Sequence, residues 1–257
     1  MTSVAAGVDL RQIDDDTLAV IADRAMTVGW VVIPDQRLTP DDLERFVARL
    51  GPLRFTPGES PLDGQRFVFE VTNRNRTTPP RSVYHSDTSY VTEPPAFTAL
   101  SAVEVPEAGG ETLVLDQYAA LAAAPVDLVE ALDGVELFHV PTRVGDPGRA
   151  GEGAWHPVLR PHPVTGRTAF YLSARERLVG ARRHGVELTD VEASTLIDRV
   201  HDHATTAVVP SRHRWRAGDV LVVDNRCTLH AADHSAVDGV RTLHRVMCGD
   251  ANAAVRV

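Results

Sequence analysis

The sequence predicts a mainly β fold with flanking helices, built as a barrel or jelly roll. Two observations carry this. From residue 67 onward most segments are short, apolar and strand-like, and they sit at varied spacing. Few helices interrupt them, which argues against a doubly wound parallel sheet and for a closed or double-sheet β architecture. All-β barrels often run as one unit at a length near 257 residues, and no Pro/Ser/Gly linker divides the chain. A single domain over residues 1–257 is expected.

Two helices open the chain. In the first, Asp14–Asp16 precedes Thr17–Val28, whose apolar residues fall at helical spacing, with Gly29 as the stop. In the second, Thr39 can cap, Pro40 takes the first helical position, Asp41 and Asp42 suit the positive end of the helix, and Gly51 follows the last turn. Trp30–Ile33 between them reads as a strand. The later strand candidates are Phe67–Thr72, Phe97–Val105, Glu111–Leu115, Val135–Val140, His156–Arg160, Thr168–Leu172, Asp219–Val223 and Arg241–Cys248. Helices are expected at Asp116–Ala124, Asp127–Leu132 and Thr189–His203.

Composition excludes several classes. All 26 basic residues are arginine, which removes Schiff-base chemistry and the lysine-bearing phosphate loop, since both need the amine itself. A net charge of −9 argues against a nucleic-acid binder. Cys227 and Cys248 are too few for a disulfide scaffold and lack CxxC spacing. The N-terminus turns acidic where a secretory signal would be basic and then apolar, and no run approaches ~18 apolar residues. A cytoplasmic protein with no membrane partner is expected.

His85-Ser86-Asp87 puts two metal-capable side chains on alternate residues, so an extended backbone points both to the same side. Alone it means little, because 11 His and 22 Asp produce about one His-x-Asp by chance. The far end of the chain adds weight. Asp219–Asp224 is a buried-strand pattern ending in Asn225-Arg226, and His230 follows. In Arg241–Val246, period two puts Arg241, Leu243 and Arg245 on one face and Thr242, His244 and Val246 on the other. Two inward arginines carry a large burial cost unless anions meet them, and a bound dicarboxylate would meet them.

These motifs, taken in order, resemble the taurine/2-oxoglutarate dioxygenase family: His85/Asp87, then Gly109-Gly110-Glu111-Thr112, Trp215-Arg216-Ala217-Gly218-Asp219, Asp224-Asn225-Arg226, His230, and Arg241/Arg245. The similarity covers most of residues 30–250, including His162–Tyr171. The resemblance implies a double-stranded β-helix (jelly-roll) core in which His85, Asp87 and His230 hold iron(II). Such a face leaves three coordination positions open, and the family fills them with 2-oxoglutarate and O₂. By matching position, Thr112 and Arg241 are expected to clasp the distal carboxylate of 2-oxoglutarate, and Arg245 to meet the proximal carboxylate or an anionic substrate. The implied reaction decarboxylates 2-oxoglutarate to succinate and CO₂ and oxidises an unactivated C–H bond. Asp87 speaks against halogenation, since halogenating relatives generally lack that carboxylate. A homo-oligomer is a common state of such enzymes.

Other readings are weighed against this one. A zinc hydrolase on the same ligands leaves Thr112, Arg241 and Arg245 without a purpose, and a non-catalytic jelly roll that binds an anion has no use for three ligands in register. His201-Asp202-His203 at a helix end, His234 in a loop and His244 on the outer face are set aside as ligands, and Asp224 and Asn225 are read as shaping the turn that presents His230. Tyr84 and Tyr90 flank the His-x-Asp motif and either line the pocket or pack in the core. The expected partner is a small, anionic substrate. Asn73–Arg81 holds Arg74, Arg76 and Arg81 with no acid, and Arg143–Arg183 is also rich in arginine. Arg81, Tyr84 and Arg245 are the candidate substrate contacts.

Overall fold

A computed structural model describes residues 7–75, 82–141 and 152–250. The chain runs α1 (Asp15–Val28), β1 (Trp30–Ile33), α2 (Pro40–Leu50), β2 (Leu53–Arg54), β3 (Phe69–Thr72), β4 (Phe97–Glu104), β5 (Thr112–Asp116), α3 (Gln117–Ala122) and α4 (Val126–Ala131). It continues through β6 (Val135–His139), β7 (Ala154–Pro157), β8 (Leu159–Pro161), β9 (Thr168–Phe170), β10 (Leu178–Arg183), β11 (Val186–Glu187), α5 (Asp190–Thr206), β12 (Ser211–His213), β13 (Val220–Asp224), β14 (Thr228–Ala232) and β15 (Thr242–Cys248). The strand pairs are antiparallel. The largest sheet has the order β1-β13-β4-β15-β2, with β3 also on β15. The others are β12-β5-β14, β11-β10-β6-β7 and the pair β8-β9.

The opening helices form where local chemistry favours them. Asp14 caps α1 through Thr17 N, and Gly29 ends it at φ 93°, a left-handed conformation that suits glycine. Thr39 and Asp42 make a reciprocal capping box on α2, with Pro40 in its first turn. A second such box, Thr189 with Glu192, starts α5.

Strict alternation sorts the side chains into layers. Val31 and Ile33 of β1, Val220 and Val222 of β13, Ala99 of β4 and Val246 of β15 pack with Ile21, Leu43 and Phe46 of the two opening helices. The alternate residues Trp30, Val32, Leu221, Val223, Leu100 and Leu243 meet Val114 of β5 and Trp215 in a separate core. That second core joins the large sheet to β12-β5-β14, and it is the jelly-roll interior. On the far side Leu115 and Leu229 join α5, β6 and β10 in a third cluster. The functional residues inherit this parity. Leu229 faces outward, so His230 faces the interior, and Leu243 faces inward together with Arg245. The register between β4 and β15 shifts at Val103, an exposed residue, so the alternation along β15 is unbroken.

Five strands carry no clear sequence signal. β10 (LVGARR) has no clean alternation, β2, β11 and β12 are very short, and β14 holds the polar residues Thr228 and His230. The expected strand His156–Arg160 is divided between β7 and β8 at Val158.

The turn between β13 and β14 is tied by a buried ion pair. Asp224 accepts from Arg226 Nε at 2.8 Å and Nη2 at 2.6 Å, and from His162 Nε2 at 3.0 Å. Breaking a buried pair leaves a charge uncompensated, which costs about 3–5 kcal/mol. Arg226→Ala should therefore lower the unfolding free energy of the metal-free protein by about that much in urea titrations. A loss below ~1 kcal/mol would show that Asp224 needs no cation.

Candidate active site

Two segments far apart in sequence meet at the site. His85 N donates to His230 O at 3.0 Å and His230 N donates to His85 O at 2.9 Å, an antiparallel bridge outside the regular strands. The imidazole centroids are 4.5 Å apart. Asp87, two residues on, lies 3.5 Å from each ring through His85 Nε2 and His230 Nε2. Among the described residues these three form the group able to hold a metal ion, their ligand atoms all within 4.8 Å of one another.

Protonation suits the role. Burial raises the Asp87 carboxyl, but the attraction of His230 and Arg245 and the hydrogen bonds from both histidines outweigh it and hold it well below the ordinary carboxylate value. Burial depresses His230, and the neighbouring His85 and Arg245 add to this against the pull of Asp87. A divalent metal would replace the positive charge that the histidines offer Asp87 and needs the imidazoles neutral, the direction in which burial moves His230. His85 Nδ1 lies 2.9 Å from Val83 O, so with a metal bound Nδ1–H would donate to that carbonyl and leave the Nε2 lone pair for the ion. Two imidazole nitrogens and one carboxylate oxygen on one side of a metal leave an open face, so the donor set fits non-haem iron(II).

The carboxylate is held from behind. Thr98, on the inward face of β4 and fully buried, donates from Oγ1 to Asp87 Oδ2 at 2.7 Å. Asn225 Nδ2 donates to Thr98 Oγ1 at 2.9 Å, and Asn225 Oδ1 accepts from Asp87 N at 3.2 Å. Asn225 thus does more than shape the His230 turn, the role read from sequence, because its amide also orients the opposite ligand. Asp224 does shape that turn, through Arg226 and through Thr228 Oγ1, which donates to its carbonyl at 2.7 Å.

A second group lies deeper. Arg241 is 3% exposed and donates from Nε to Gly110 O at 2.8 Å and from Nη2 to Thr112 Oγ1 at 3.2 Å. Among the described residues no carboxylate pairs with it, and burial pulls its pKa down to about 10. Thr112 Oγ1 also accepts from Trp215 Nε1 at 3.1 Å. With two donors entering, the hydroxyl proton is free to point at a third group. The paired glycines make room: at Gly109 a Cβ would stand 2.2 Å from Ala236 O, and at Gly110, φ 72°, it would meet Arg241 Cδ at 3.0 Å. A buried cation beside a free hydroxyl proton fits a carboxylate.

His85, Asp87, His230, Thr112, Arg241 and Arg245 all line one cavity together with the apolar Val71, Leu100 and Leu243. A larger cleft of about 500 Å³ beside His213, Trp215 and Asp219 carries none of these six. Convergent polar groups, not volume, locate the site.

The profile of the Taurine catabolism dioxygenase TauD, TfdA family matches residues 2–247. The chain belongs to this family. It is similar to the alpha-ketoglutarate-dependent 2,4-dichlorophenoxyacetate dioxygenase of Cupriavidus pinatubonensis, with 33% identity over 94% of this chain and 93% of that protein. A putative alpha-ketoglutarate-dependent sulfonate dioxygenase of Schizosaccharomyces pombe shares 26% identity over 95% of the chain, which spans 66% of that longer protein. The crystal structure of a taurine dioxygenase from Burkholderia xenovorans matches with a TM-score of 0.80 and 28% identity, covering 95% of this chain and 86% of that one. Membership in the TauD, TfdA family makes the chain an oxidoreductase that works with iron(II), 2-oxoglutarate and O₂, and the jelly-roll expectation is met.

Not every residue singled out in the sequence joins the cavity. Arg81 and Arg76 lie outside the described residues. Tyr84 packs against the third core cluster near Arg212 and Asp233. Several arginines of the basic stretches meet surface acids: Arg74 with Glu104, Arg175 with Asp198 at 2.5 Å, Arg182 with Glu136 at 2.7 Å. His203 of α5 is occupied by Ala120 O at 2.9 Å. Thr98, Trp215 and Glu59, which contacts Arg245, escape sequence reasoning, and only Trp215 lies within a motif that could have pointed to it.

Groups behind a metal ligand typically change metal affinity 10–100-fold. Thr98→Val should weaken binding of cobalt(II) or iron(II) by roughly tenfold or more in chelator competition, with Thr98→Ser restoring most of it. Unchanged affinity in the valine variant would remove Thr98 from the site.

Proposed function

We propose that the chain oxidises a C–H bond of a small anionic substrate, with iron(II) held by His85, Asp87 and His230 and the distal carboxylate of 2-oxoglutarate held by Arg241 and Thr112. The observation that carries this is the single cavity onto which all six polar residues converge. Bound iron(II) supplies O₂ activation coupled to decarboxylation of 2-oxoglutarate, and the products are succinate, CO₂ and the oxidised substrate. The chain's own residues supply placement. Arg241 and the Thr112 hydroxyl anchor one end of the dicarboxylate and so set the reach of its other end toward the ligand triad. Val71, Leu100 and Leu243 give the space between an apolar wall.

Arg245 is the proposed contact for the substrate's acid group, since its Nη1 lies 3.6 Å from Asp87 Oδ1 and so beside the metal position. Relatives support an anionic substrate: 2,4-dichlorophenoxyacetate, phenoxypropionate, sulfonates and sulfate esters all carry an acid group on an organic body. Among the described residues no helix is long and apolar enough to cross a membrane, and a cytoplasmic homo-oligomer completes the proposal.

Two measurements test the assignment. Anaerobic iron(II) with 2-oxoglutarate should give a weak visible charge-transfer band, absent in His85→Ala, Asp87→Ala and His230→Ala. A full-strength band in all three would put the metal elsewhere. Arg241→Ala removes the partner of a buried carboxylate, a loss on the order of 2–5 kcal/mol. Apparent affinity for 2-oxoglutarate should fall roughly a hundredfold, at about 1.4 kcal/mol per factor of ten, while metal binding survives. Undiminished affinity would make Arg245 the better anchor.

A further inference from the structure

Arg245 meets the cavity with its outer side already engaged. Its Nη2 donates to Glu59 Oε2 at 2.6 Å and to Thr56 Oγ1 at 3.2 Å. Its Nε is buried without a hydrogen-bond partner, and the guanidinium carbon stands 5.7 Å from the centre of the Phe69 ring. Two carboxylates therefore flank one cation, Asp87 on the metal side and Glu59 on the solvent side. Their surroundings differ. Asp87 is buried and positioned by Thr98, whereas the Glu59 side chain is 49% exposed.

Glu59 comes from a tight turn, Thr56-Pro57-Gly58-Glu59. Glu59 N donates to Thr56 O at 3.3 Å, Gly58 has φ 83°, and proline precedes it, the residues a type II turn requires. Tyr90 OH donates to Pro57 O at 3.3 Å and ties the turn to the segment that follows Asp87. The turn's backbone is thus held independently of the Glu59 side chain. The carboxylate can leave Arg245 without unfolding the loop that carries it.

We infer that Glu59 is a built-in competitor: its carboxylate occupies the Arg245 guanidinium until the acid group of a substrate displaces it. This rests on the reading of Arg245 as the substrate's anion contact. The Glu59 side chain is half exposed while Arg245 is 12% exposed, so on exchange the carboxylate returns to water and the cation stays balanced by a ligand that brings its own anion. A neutral ligand of the same shape offers Arg245 no charge in return and leaves the pair in place. Glu59 therefore sets a threshold that carboxylates, sulfonates and sulfate esters pass and neutral molecules do not. It also keeps Arg245 charge-balanced when no substrate is present.

The test uses the full chain loaded with manganese(II) and N-oxalylglycine, which cannot turn over. Methanesulfonate and its neutral counterpart dimethyl sulfone are small enough for pocket shape to matter little, and paramagnetic relaxation of their methyl protons reports binding near the metal. Glu59→Gln keeps the length and the turn but removes the charge. It should bind methanesulfonate on the order of three- to tenfold more tightly than the parent, with dimethyl sulfone unchanged and Arg245→Ala binding methanesulfonate no better than dimethyl sulfone. Equal or weaker methanesulfonate binding in Glu59→Gln, with binding still lost in Arg245→Ala, overturns the competitor role and leaves the anionic-substrate reading intact. If Arg245→Ala binds methanesulfonate as the parent does, both readings fall. Absence of methanesulfonate binding even in Glu59→Gln also overturns the inference, because freeing Arg245 would then have freed nothing.

Discussion

His85 and His230 exchange both of their backbone hydrogen bonds, at 3.0 and 2.9 Å, and most of the site's geometry follows from that exchange. An antiparallel bridge fixes position and direction together. The extended backbone then places Asp87 one step beyond His85 on the same side. His230 sits in β14, whose pairing with β5 sets His230 opposite Val114 and Ala232 opposite Thr112. The β14-β5 ladder therefore fixes the distance from His230, a proposed metal ligand, to the Thr112 hydroxyl at the far end of the cavity. Across the interior, β15 pairs with β4 and brings Arg245 beside Leu100, with Arg241 one turn of the pleat beyond Leu243. Ladders deliver His230, Thr112 and Arg245, and the isolated bridge delivers His85, so these side chains are placed by backbone pairing.

The groups behind the cavity work in the same manner on both ligand segments. Asn225 lies between the strand that ends at Asp224 and the strand that carries His230, yet its amide holds the backbone N–H of Asp87 and the hydroxyl of Thr98. One residue thereby couples the two halves of the ligand set. Trp215 does similar work deeper in: its Nε1–H fills one lone pair of Thr112, and its ring stands 5.8 Å from the Arg241 guanidinium carbon. Its indole buries a large apolar face in the inter-sheet core while its polar edge orients a functional hydroxyl.

Much of this architecture is legible in the chain, and the part that is not has physical reasons. Caps at Asp14, Thr39 and Thr189 are local signals and announce their helices directly. The unbroken apolar run of β13 is equally local, and period two alone assigns Arg241, Leu243 and Arg245 to one face. β14 carries its signal poorly, because Thr228, whose hydroxyl ties the turn at Asp224, and His230 dilute the apolar pattern. Contacts such as Thr98 with Asp87, Asn225 with Thr98 and Glu59 with Arg245 join residues of different segments and of ordinary type. Neither period nor composition marks them. The arginine-rich stretches mislead for the opposite reason: their charge is visible in sequence, but the surface acids that meet Arg74, Arg175 and Arg182 come from distant segments.

Charge balance links the buried groups to one another. Asp87 is a buried anion and Arg241 a buried cation, and the chain supplies Arg241 with no carboxylate among the described residues, an arrangement that costs stability in the protein alone. A divalent metal against Asp87 leaves one excess positive charge, and Arg241 adds a second. On the proposed placement, a dianionic cosubstrate spanning the metal and Arg241 would cancel both, so the pair of ligands would neutralise what neither could alone. That leaves Arg245 to be balanced separately, by an anion that is not part of the metal and cosubstrate set. Glu59 balances it in the chain as it stands, at 2.6 Å. An anionic substrate can replace Glu59 without changing the total inside the cavity, because the carboxylate it displaces already sits at the solvent edge and moves into water. A neutral substrate leaves the balance to Glu59, and a cationic one would have to add its charge to the metal and two arginines. The same accounting that makes the metal and the cosubstrate bind together thus favours an acid group on the third partner.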